Sequence, residues 1–275
     1  MADRRTTPAR PDLAAAHLKG QVEAARFAEG EICSVARGRA SLRARPSDDA
    51  PQDSELLLGE IVTVYERRDG WAWLQVKTDC YVGYAREDAL GPAIGNDARV
   101  ILPLTPLLSA PDVKSPLRDL LPLNAAVKRG ALQGDFVEVA GSFVSARALA
   151  PADQTAADFV AVAEQFLGVP YVWGGKTFEG LDCSGLIQTA LQAAGVPAPR
   201  DTDMMEQALG RTILREKVRR GDLIFWKGHV AIVRDAETIV HANAHHMATV
   251  IEGTREAMAR IKAAGSEITA IKRLS

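Results

Sequence analysis

The residues that could carry out a reaction lie in the C-terminal part of this 275-residue chain, around one cysteine. Residues 171–185 read YVWGGKTFEGLDCSG, so Cys183 follows a glycine-rich stretch and precedes an apolar run that continues to residue 194. We predict that Cys183 lies in the first turn of a helix, where unpaired N–H groups and the positive dipole end favour a thiolate. A thiolate at that position is a nucleophile suited to attack on an amide carbon.

Two histidines downstream could complete such a site. His229 begins an apolar strand, and His241 ends a second short strand predicted over residues 238–241. Two adjacent antiparallel strands would place His229 beside Cys183 as a base and His241 behind it as an orienting group. A single cysteine is more often a small apolar filler, so the conjunction of the three residues is what favours catalysis.

From residue 155 to the C-terminus the chain resembles the NlpC/P60 cysteine peptidases, which have a papain-like fold and cleave cell-wall peptides. The resemblance rests on six motifs in family order: YVWGG at 171–175, DCSG at 182–185, PRDT at 199–202, RGDL at 220–223, GHV at 228–230 and IVHA at 239–242. It implies that Cys183 is the nucleophile, His229 the base and His241 the third residue. It also implies an oxyanion site formed by the Cys183 backbone N–H and the Tyr171 hydroxyl.

The part before residue 155 predicts a helical arm over residues 1–29 and two small β modules over 30–92 and 97–150. The first module resembles a bacterial SH3 domain through LRARP at 42–46, GEIVTV at 59–64, GWAW at 70–73 and YVGY at 81–84; the second is a weaker copy. Short strands separated by Gly and Asp turns are typical of small barrels. The predicted fold is therefore an α+β papain-like (NlpC/P60) catalytic domain, residues 155–275, preceded by two all-β SH3-like barrels.

This combination resembles the γ-D-glutamyl-L-diamino acid endopeptidases, which process freed murein peptides with an unblocked N-terminal L-Ala. The resemblance implies these substrate contacts: Asp182 and Ser184 to the amine and backbone, Thr202 to the D-Glu carboxylate region, and Tyr81 with an acid, Glu55 or else Asp53, to the free amine. Two alternatives stay open. One is an NlpC/P60 amidase or acyltransferase of other specificity, and the other is a non-catalytic SH3 binding protein. The diamino acid and the oligomeric state are also left open.

The charge and the apolar segments of the chain indicate which classes of partner to expect. The net charge is −2, the pI about 6.2, and no run of five or six like charges occurs, so no nucleic-acid partner is expected. No apolar stretch is long enough to span a membrane, and the N-terminus lacks an apolar signal region, so we expect a cytoplasmic protein.

No cofactor or metal ion is expected either. The other cysteines, Cys33 and Cys80, have no C-x-x-C spacing and are interpreted as buried fillers. His245 and His246 are adjacent and are interpreted as surface loop residues, since neighbouring side chains usually point in different directions.

Overall fold

The computed structural model describes residues 3–274 and divides into two compact units, Met1–Gln154 and Thr155–Ser275. The division lies next to the predicted start of the catalytic domain at residue 155. Every α-helix among the described residues is in the second unit, whereas the first contains only strands and short 3-10 turns. The predicted fold class, β modules followed by an α+β unit, is therefore confirmed.

The first unit contains seventeen strands among its described residues and three 3-10 turns, at Ala16–Leu18, Glu87–Ala89 and Ala146–Ala148. The strands are β1 Ala14–Ala15, β2 Phe27–Ala28, β3 Glu31–Val35, β4 Arg39–Arg43, β5 Gln52–Leu57, β6 Ile61–Arg68, β7 Trp71–Val76, β8 Val82–Arg86, β9 Leu90–Pro92, β10 Ala98–Val100, β11 Leu104–Leu108, β12 Leu117–Pro122, β13 Ala126–Val127, β14 Leu132–Gln133, β15 Phe136–Val139, β16 Ser142–Ser145 and β17 Leu149–Pro151.

The first module is one seven-stranded sheet of order β5-β4-β8-β7-β6-β3-β9. Its longest hairpin, β6 to β7, turns at Asp69 and Gly70, which both have positive φ, 52° and 75°. Such a turn suits the right-handed twist of the strands and explains the Asp-Gly pair. Alternate residues of β6, Val62 and Val64, are buried in the barrel core.

The second module combines a three-stranded sheet, β13-β10-β17, with a five-stranded sheet, β12-β11-β16-β15-β14. Its last elements repeat those of the first module: β16, a 3-10 turn and β17 correspond to β8, a 3-10 turn and β9. The Gly38 N–H donates to Asp119 Oδ2 at 2.7 Å, and the Ala126 N–H donates to the Leu58 carbonyl at 2.8 Å. The two modules are thus hydrogen-bonded within one unit.

The helical arm predicted over residues 1–29 is wrong for its described part, residues 3–29. Leu13, Ala14 and Ala15 are consecutive and fully buried, which is not the pattern of one helical face. Instead, the backbone of this segment forms hydrogen bonds with strands. Strand β1 pairs in parallel with β2, and the Val82 N–H donates to the Arg5 carbonyl at 2.7 Å.

Cys33 is buried as predicted, but the prediction for Cys80 is wrong. Cys80 is exposed and has a φ of 63°, directly after the turn at residues 77–79 and outside any strand.

The second unit contains four α-helices, eight strands and a 3-10 turn at Arg215–Lys217 among its described residues. These are α1 Phe159–Glu164, β18 Lys176–Thr177, β19 Gly180–Leu181, α2 Cys183–Ala193, α3 Thr202–Ala208, β20 Arg211–Thr212, β21 Leu223–Trp226, β22 His229–Val233, β23 Thr238–Asn243, β24 Ala248–Gly253, α4 Thr254–Ala263 and β25 Ile268–Arg273.

A six-stranded sheet of order β20-β25-β21-β22-β23-β24 forms the centre of this unit. Helix α2, which begins at Cys183, packs on β22 and β23. Strand β22 pairs antiparallel with β23, with Ile232 opposite Val240. Across residues 3–274, no helix combines the length and apolar character needed to cross a membrane.

Candidate active site

Cys183 is the first residue of α2, and the preceding Asp182 caps the helix. The Asp182 carboxylate accepts the Gly185 N–H at 2.6 Å, which satisfies one of the donors left open in a first helical turn. A Cβ on Gly185 would lie 2.0 Å from the Gly175 carbonyl oxygen, so only glycine allows this approach. The DCSG motif therefore fixes both the start of the helix and its packing on the preceding loop.

Asp182, the residue directly before the nucleophile, forms a buried ion pair with Arg200. Arg200 donates to the two Asp182 oxygens at 3.0 and 2.8 Å, to Ser184 Oγ at 2.9 Å and to the Gly175 carbonyl at 3.3 Å. Asp182 also accepts from Gly174 N–H and from the Ser184 hydroxyl. A substrate ammonium would have to share this engaged carboxylate, so substrate contact by Asp182 and Ser184 stays a prediction. The ion pair with Arg200 was not foreseen, although Arg200 belongs to the PRDT motif.

The sulfur of Cys183 lies close to polar groups of α3 and of the β22 region. Its Sγ lies 3.7 Å from Thr202 Oγ1, at the start of α3, and 3.9 Å from the carbonyl oxygen of Gly228, the residue before His229. Burial, reinforced by the negative charge of Asp182, raises the pKa of the thiol to about 11. Desolvation thus outweighs the hydrogen bonds of Thr202 and the Val230 backbone and the charge of Arg200, which lower this pKa, and it acts against the expected resting thiolate.

The structure brings the two predicted histidines together on neighbouring strands. Nε2 of His229, at the start of β22, lies 2.9 Å from Nδ1 of His241 on β23. Burial is the main reason why the pKa of His229 falls to about 3 and that of His241 to about 4. Both rings are therefore neutral at neutral pH.

Two further residues continue this chain of contacts. Nε2 of His241 lies 3.0 Å from Glu252 Oε2, and Arg260 donates to the two Glu252 oxygens at 3.0 and 2.6 Å. Sequence reasoning missed both residues because they lie outside the six motifs, Arg260 on α4 and Glu252 on β24. The β-branched run Thr249-Val250-Ile251 is the signal that would have indicated this strand.

Tyr171 lies on the loop that leads to the nucleophile. Its backbone N–H donates to the Met247 carbonyl at 3.0 Å. Burial, with the charges of Cys183 and Asp182, raises the pKa of its hydroxyl well above its ordinary value. The hydroxyl therefore keeps its proton at neutral pH and is chemically able to donate to an oxyanion, the role that Tyr171 is predicted to have.

Within the first unit, Tyr81 and Glu55, which are predicted to bind the amine, are buried, whereas the alternative acid Asp53 is partly exposed. Tyr81 belongs to the core of the first module, and Glu55 is paired with Arg39 at 3.1 Å. Their role in binding an amine stays a prediction.

One group of side chains in residues 3–274 has the spacing of metal ligands: His241, His246 and Glu252, whose ligand atoms lie within 4.8 Å of one another. Glu252 already pairs with the Arg260 guanidinium, and His246 Nδ1 lies 3.0 Å from Asn243 Oδ1. His246 is exposed, as predicted for a loop residue. A metal ion here would have to compete with the positive charge of Arg260, which does not favour this use of the group.

Comparison with known proteins gives two family matches. Residues 168–262 match the NlpC/P60 family, and residues 42–90 match the bacterial dipeptidyl-peptidase SH3 domain. Among curated proteins, the chain is 34% identical over 121 residues to a gamma-DL-glutamyl hydrolase of Bacillus subtilis, covering 40% of this chain and 29% of the relative. It is 38% identical over 84 residues to dipeptidyl-peptidase 6 of Lysinibacillus sphaericus, covering 30% and 31%.

A third relative is a gamma-D-glutamyl-L-lysine dipeptidyl-peptidase of Bacillus cereus, 34% identical over 93 residues, covering 31% of this chain and 28% of the relative. The chain thus spans less than a third of the length of these three relatives. A crystal structure of an NlpC/P60 family protein from Bacillus cereus has a TM-score of 0.76 at 20% identity, covering 89% of this chain and 99% of that one. At this identity the likeness shows the fold.

Proposed function

Because this chain carries an NlpC/P60 domain and a bacterial dipeptidyl-peptidase SH3 domain, we propose that it is a cysteine endopeptidase of short murein peptides. The bond cleaved is the amide between γ-D-glutamate and an L-diamino acid, and the role is the recycling of freed cell-wall peptides. The names of the relatives support this substrate class. The observation that carries the proposal is that the Cys183 sulfur lies 3.9 Å from the carbonyl oxygen of Gly228, the residue directly before His229, whose ring contacts His241.

The acylation step begins with a neutral thiol. Since Nε2 of His229 faces His241, Nδ1 is the nitrogen left to take the thiol proton. The sulfur then attacks the γ-carbonyl carbon, and negative charge develops on the carbonyl oxygen. The backbone N–H of Cys183 has no acceptor within its helix, because it lies in the first turn. This N–H and the protonated Tyr171 hydroxyl would donate to that oxygen, and each donor is worth about 3 kcal/mol in the transition state.

Collapse of this intermediate breaks the carbon–nitrogen bond. His229 gives its proton to the leaving amine of the diamino acid, and an L-Ala-γ-D-Glu thioester stays on Cys183. A water molecule then gives a proton to His229 and attacks the thioester carbon. The carbon–sulfur bond breaks, the sulfur takes back the proton, and the free dipeptide leaves.

The proposal also assigns residues to two groups of the substrate, the D-Glu carboxylate and the free N-terminal amine. Thr202, whose hydroxyl lies 3.7 Å from the nucleophile, is suited to the D-Glu carboxylate region. Glu55 and Tyr81 are proposed for the free N-terminal amine on the resemblance alone. An N-blocked peptide lacks the charged amine that these groups would bind, so we expect it to be disfavoured.

Incubation of the full chain with L-Ala-γ-D-Glu-meso-diaminopimelate and its N-acetylated form tests the proposal. We expect release of L-Ala-γ-D-Glu from the free tripeptide only, with a loss of at least about a thousandfold in Cys183→Ala. Cys80→Ser is the matched control, because it removes an exposed thiol, and it should keep wild-type activity.

Equal cleavage of both peptides would overturn the requirement for a free amine and favour an amidase of other specificity. Absence of cleavage of either peptide, or full activity in Cys183→Ala, would overturn the peptidase proposal itself.

A further inference from the structure

Four side chains form a continuous line of contacts that leads away from the nucleophile. His229 and His241 lie 2.9 Å apart, His241 and Glu252 3.0 Å, and Arg260 closes the line with two hydrogen bonds to Glu252. His241 is fully buried, and the Glu252 side chain is only 11% exposed. The proposed reaction uses the two histidines but leaves Glu252 and Arg260 without a role.

The nitrogen that carries the proton on each histidine can be worked out by starting from Arg260 and Glu252. Arg260 has only donors, and an ionised Glu252 has only acceptors. The bond between Glu252 and His241 therefore requires a proton on His241 Nε2, which leaves Nδ1 of the neutral ring as an acceptor. His229 must then donate through Nε2, so the lone pair of its neutral ring is on Nδ1.

The ionised state of Glu252 is maintained by its neighbour. Burial alone would raise the pKa of this carboxyl group, but the hydrogen bond and charge of Arg260 outweigh burial and bring the pKa below its usual range. The charged or titratable groups around His241 include His229, which contacts it, and Arg260 and His246, which lower its pKa, whereas Glu252 raises it. Glu252 is thus the one group among these that favours a positive charge on the histidine pair.

We propose that Glu252, held by Arg260, is a positioning residue that sets the tautomers of His241 and His229. It presents the His229 lone pair at Nδ1 and stabilises the imidazolium that forms when His229 takes the thiol proton. The inference rests on the proposed function, in which His229 is the base. It extends the catalytic line of contacts to two residues that the motifs of the sequence did not indicate.

Glu252→Gln tests this role, because the amide keeps the size of the side chain but removes its charge and its obligate acceptor character. We expect kcat on the free tripeptide to fall by at least about tenfold with little change in KM. The acid limb of the kcat/KM profile should also shift to lower pH, since the charge that raises the histidine pKa is gone.

Glu164→Gln is the matched control. Glu164 is also a partly buried carboxylate paired with an arginine, Arg234, at 2.6 Å, but on α1. A merely structural effect of losing an ion pair would lower stability in both variants and would leave the pH profile unchanged.

Nitrogen-15 NMR of the histidine side chains provides a readout without turnover. In the wild-type chain and in Cys183→Ala, we expect the proton on Nε2 of both His229 and His241; in Glu252→Gln, we expect a mixture of tautomers. A His241 protonated on Nδ1 in the wild type, or a kcat within twofold and an unshifted profile in Glu252→Gln, would overturn the inference. If the tautomers are as expected but no peptide is cleaved, the proposed function fails, whereas the control of the histidine tautomers by Glu252 stands.

Discussion

Replacing Arg200 by methionine is expected to destabilise the C-terminal unit by about 3 kcal/mol. The Arg200 side chain is 1% exposed and donates to both Asp182 oxygens, to Ser184 and to the Gly175 carbonyl. Methionine fills similar space but leaves the Asp182 charge buried without its cation. Removal of one partner of a buried pair typically costs about 3–5 kcal/mol. The lower end applies here because Gly174, Gly185 and Ser184 still donate to the carboxylate.

Urea unfolding followed by the helical circular dichroism signal measures the free energy of unfolding of the C-terminal unit, which contains Arg200. Every α-helix in the described residues belongs to the C-terminal unit, so the signal reports on that unit. Lys262→Met is the control: its pair with Glu267 is about 70% exposed on both sides, and its loss should cost no more than about 1 kcal/mol.

A second variant separates the unpaired charge from the lost contacts. Arg200→Met combined with Asp182→Asn removes both charges and keeps a residue that can cap α2, so it should be more stable than Arg200→Met alone. The reasoning is refuted if Arg200→Met costs no more than Lys262→Met, or if the double variant is less stable than the single one.

Three further changes have defined outcomes. Gly185→Ala should lower the midpoint of thermal unfolding, because its Cβ would lie 2.0 Å from a backbone oxygen; an unchanged midpoint would contradict this. Lowering the pH from about 6.5 to 5 should decrease the free energy of unfolding. The unfolded chain takes up protons on His229 and His241, whose folded pKa values are about 3 and 4; a pH slope in His241→Asn no shallower than in the wild type would count against it. Arg10→Ala should speed proteolysis of the N-terminal segment, because the guanidinium lies 4.3 Å from the Trp73 ring centre, a contact worth about 1–2 kcal/mol; an unchanged rate would argue that this contact does not hold the segment.

The elements around the nucleophile were predictable because each has a strong local signal. Asp182 and Gly185 mark the start of α2, and the apolar runs after His229 and around Ile239 mark two strands that pair as predicted. The Asp69-Gly70 turn similarly predicts the hairpin between β6 and β7.

The parts that sequence reasoning missed depend on contacts distant in the chain. Residues 13–15 are consecutive and fully buried, and two of them pair as strand β1 with strand β2 further along the chain, which the predicted helical arm did not anticipate. Glu252 is an ordinary acidic residue until β24 places it against His241. The protonation of Cys183 also depends on burial, which a motif does not contain.

Trapping of the covalent intermediate tests the central claim most directly. The full chain would be mixed with the free tripeptide, quenched in acid within the first turnover, and examined by intact mass spectrometry and peptide mapping. The account predicts an L-Ala-γ-D-Glu adduct on the peptide that contains Cys183, absent from Cys183→Ala. Rapid hydrolysis without any adduct on that peptide, together with activity retained in Cys183→Ala, would contradict it.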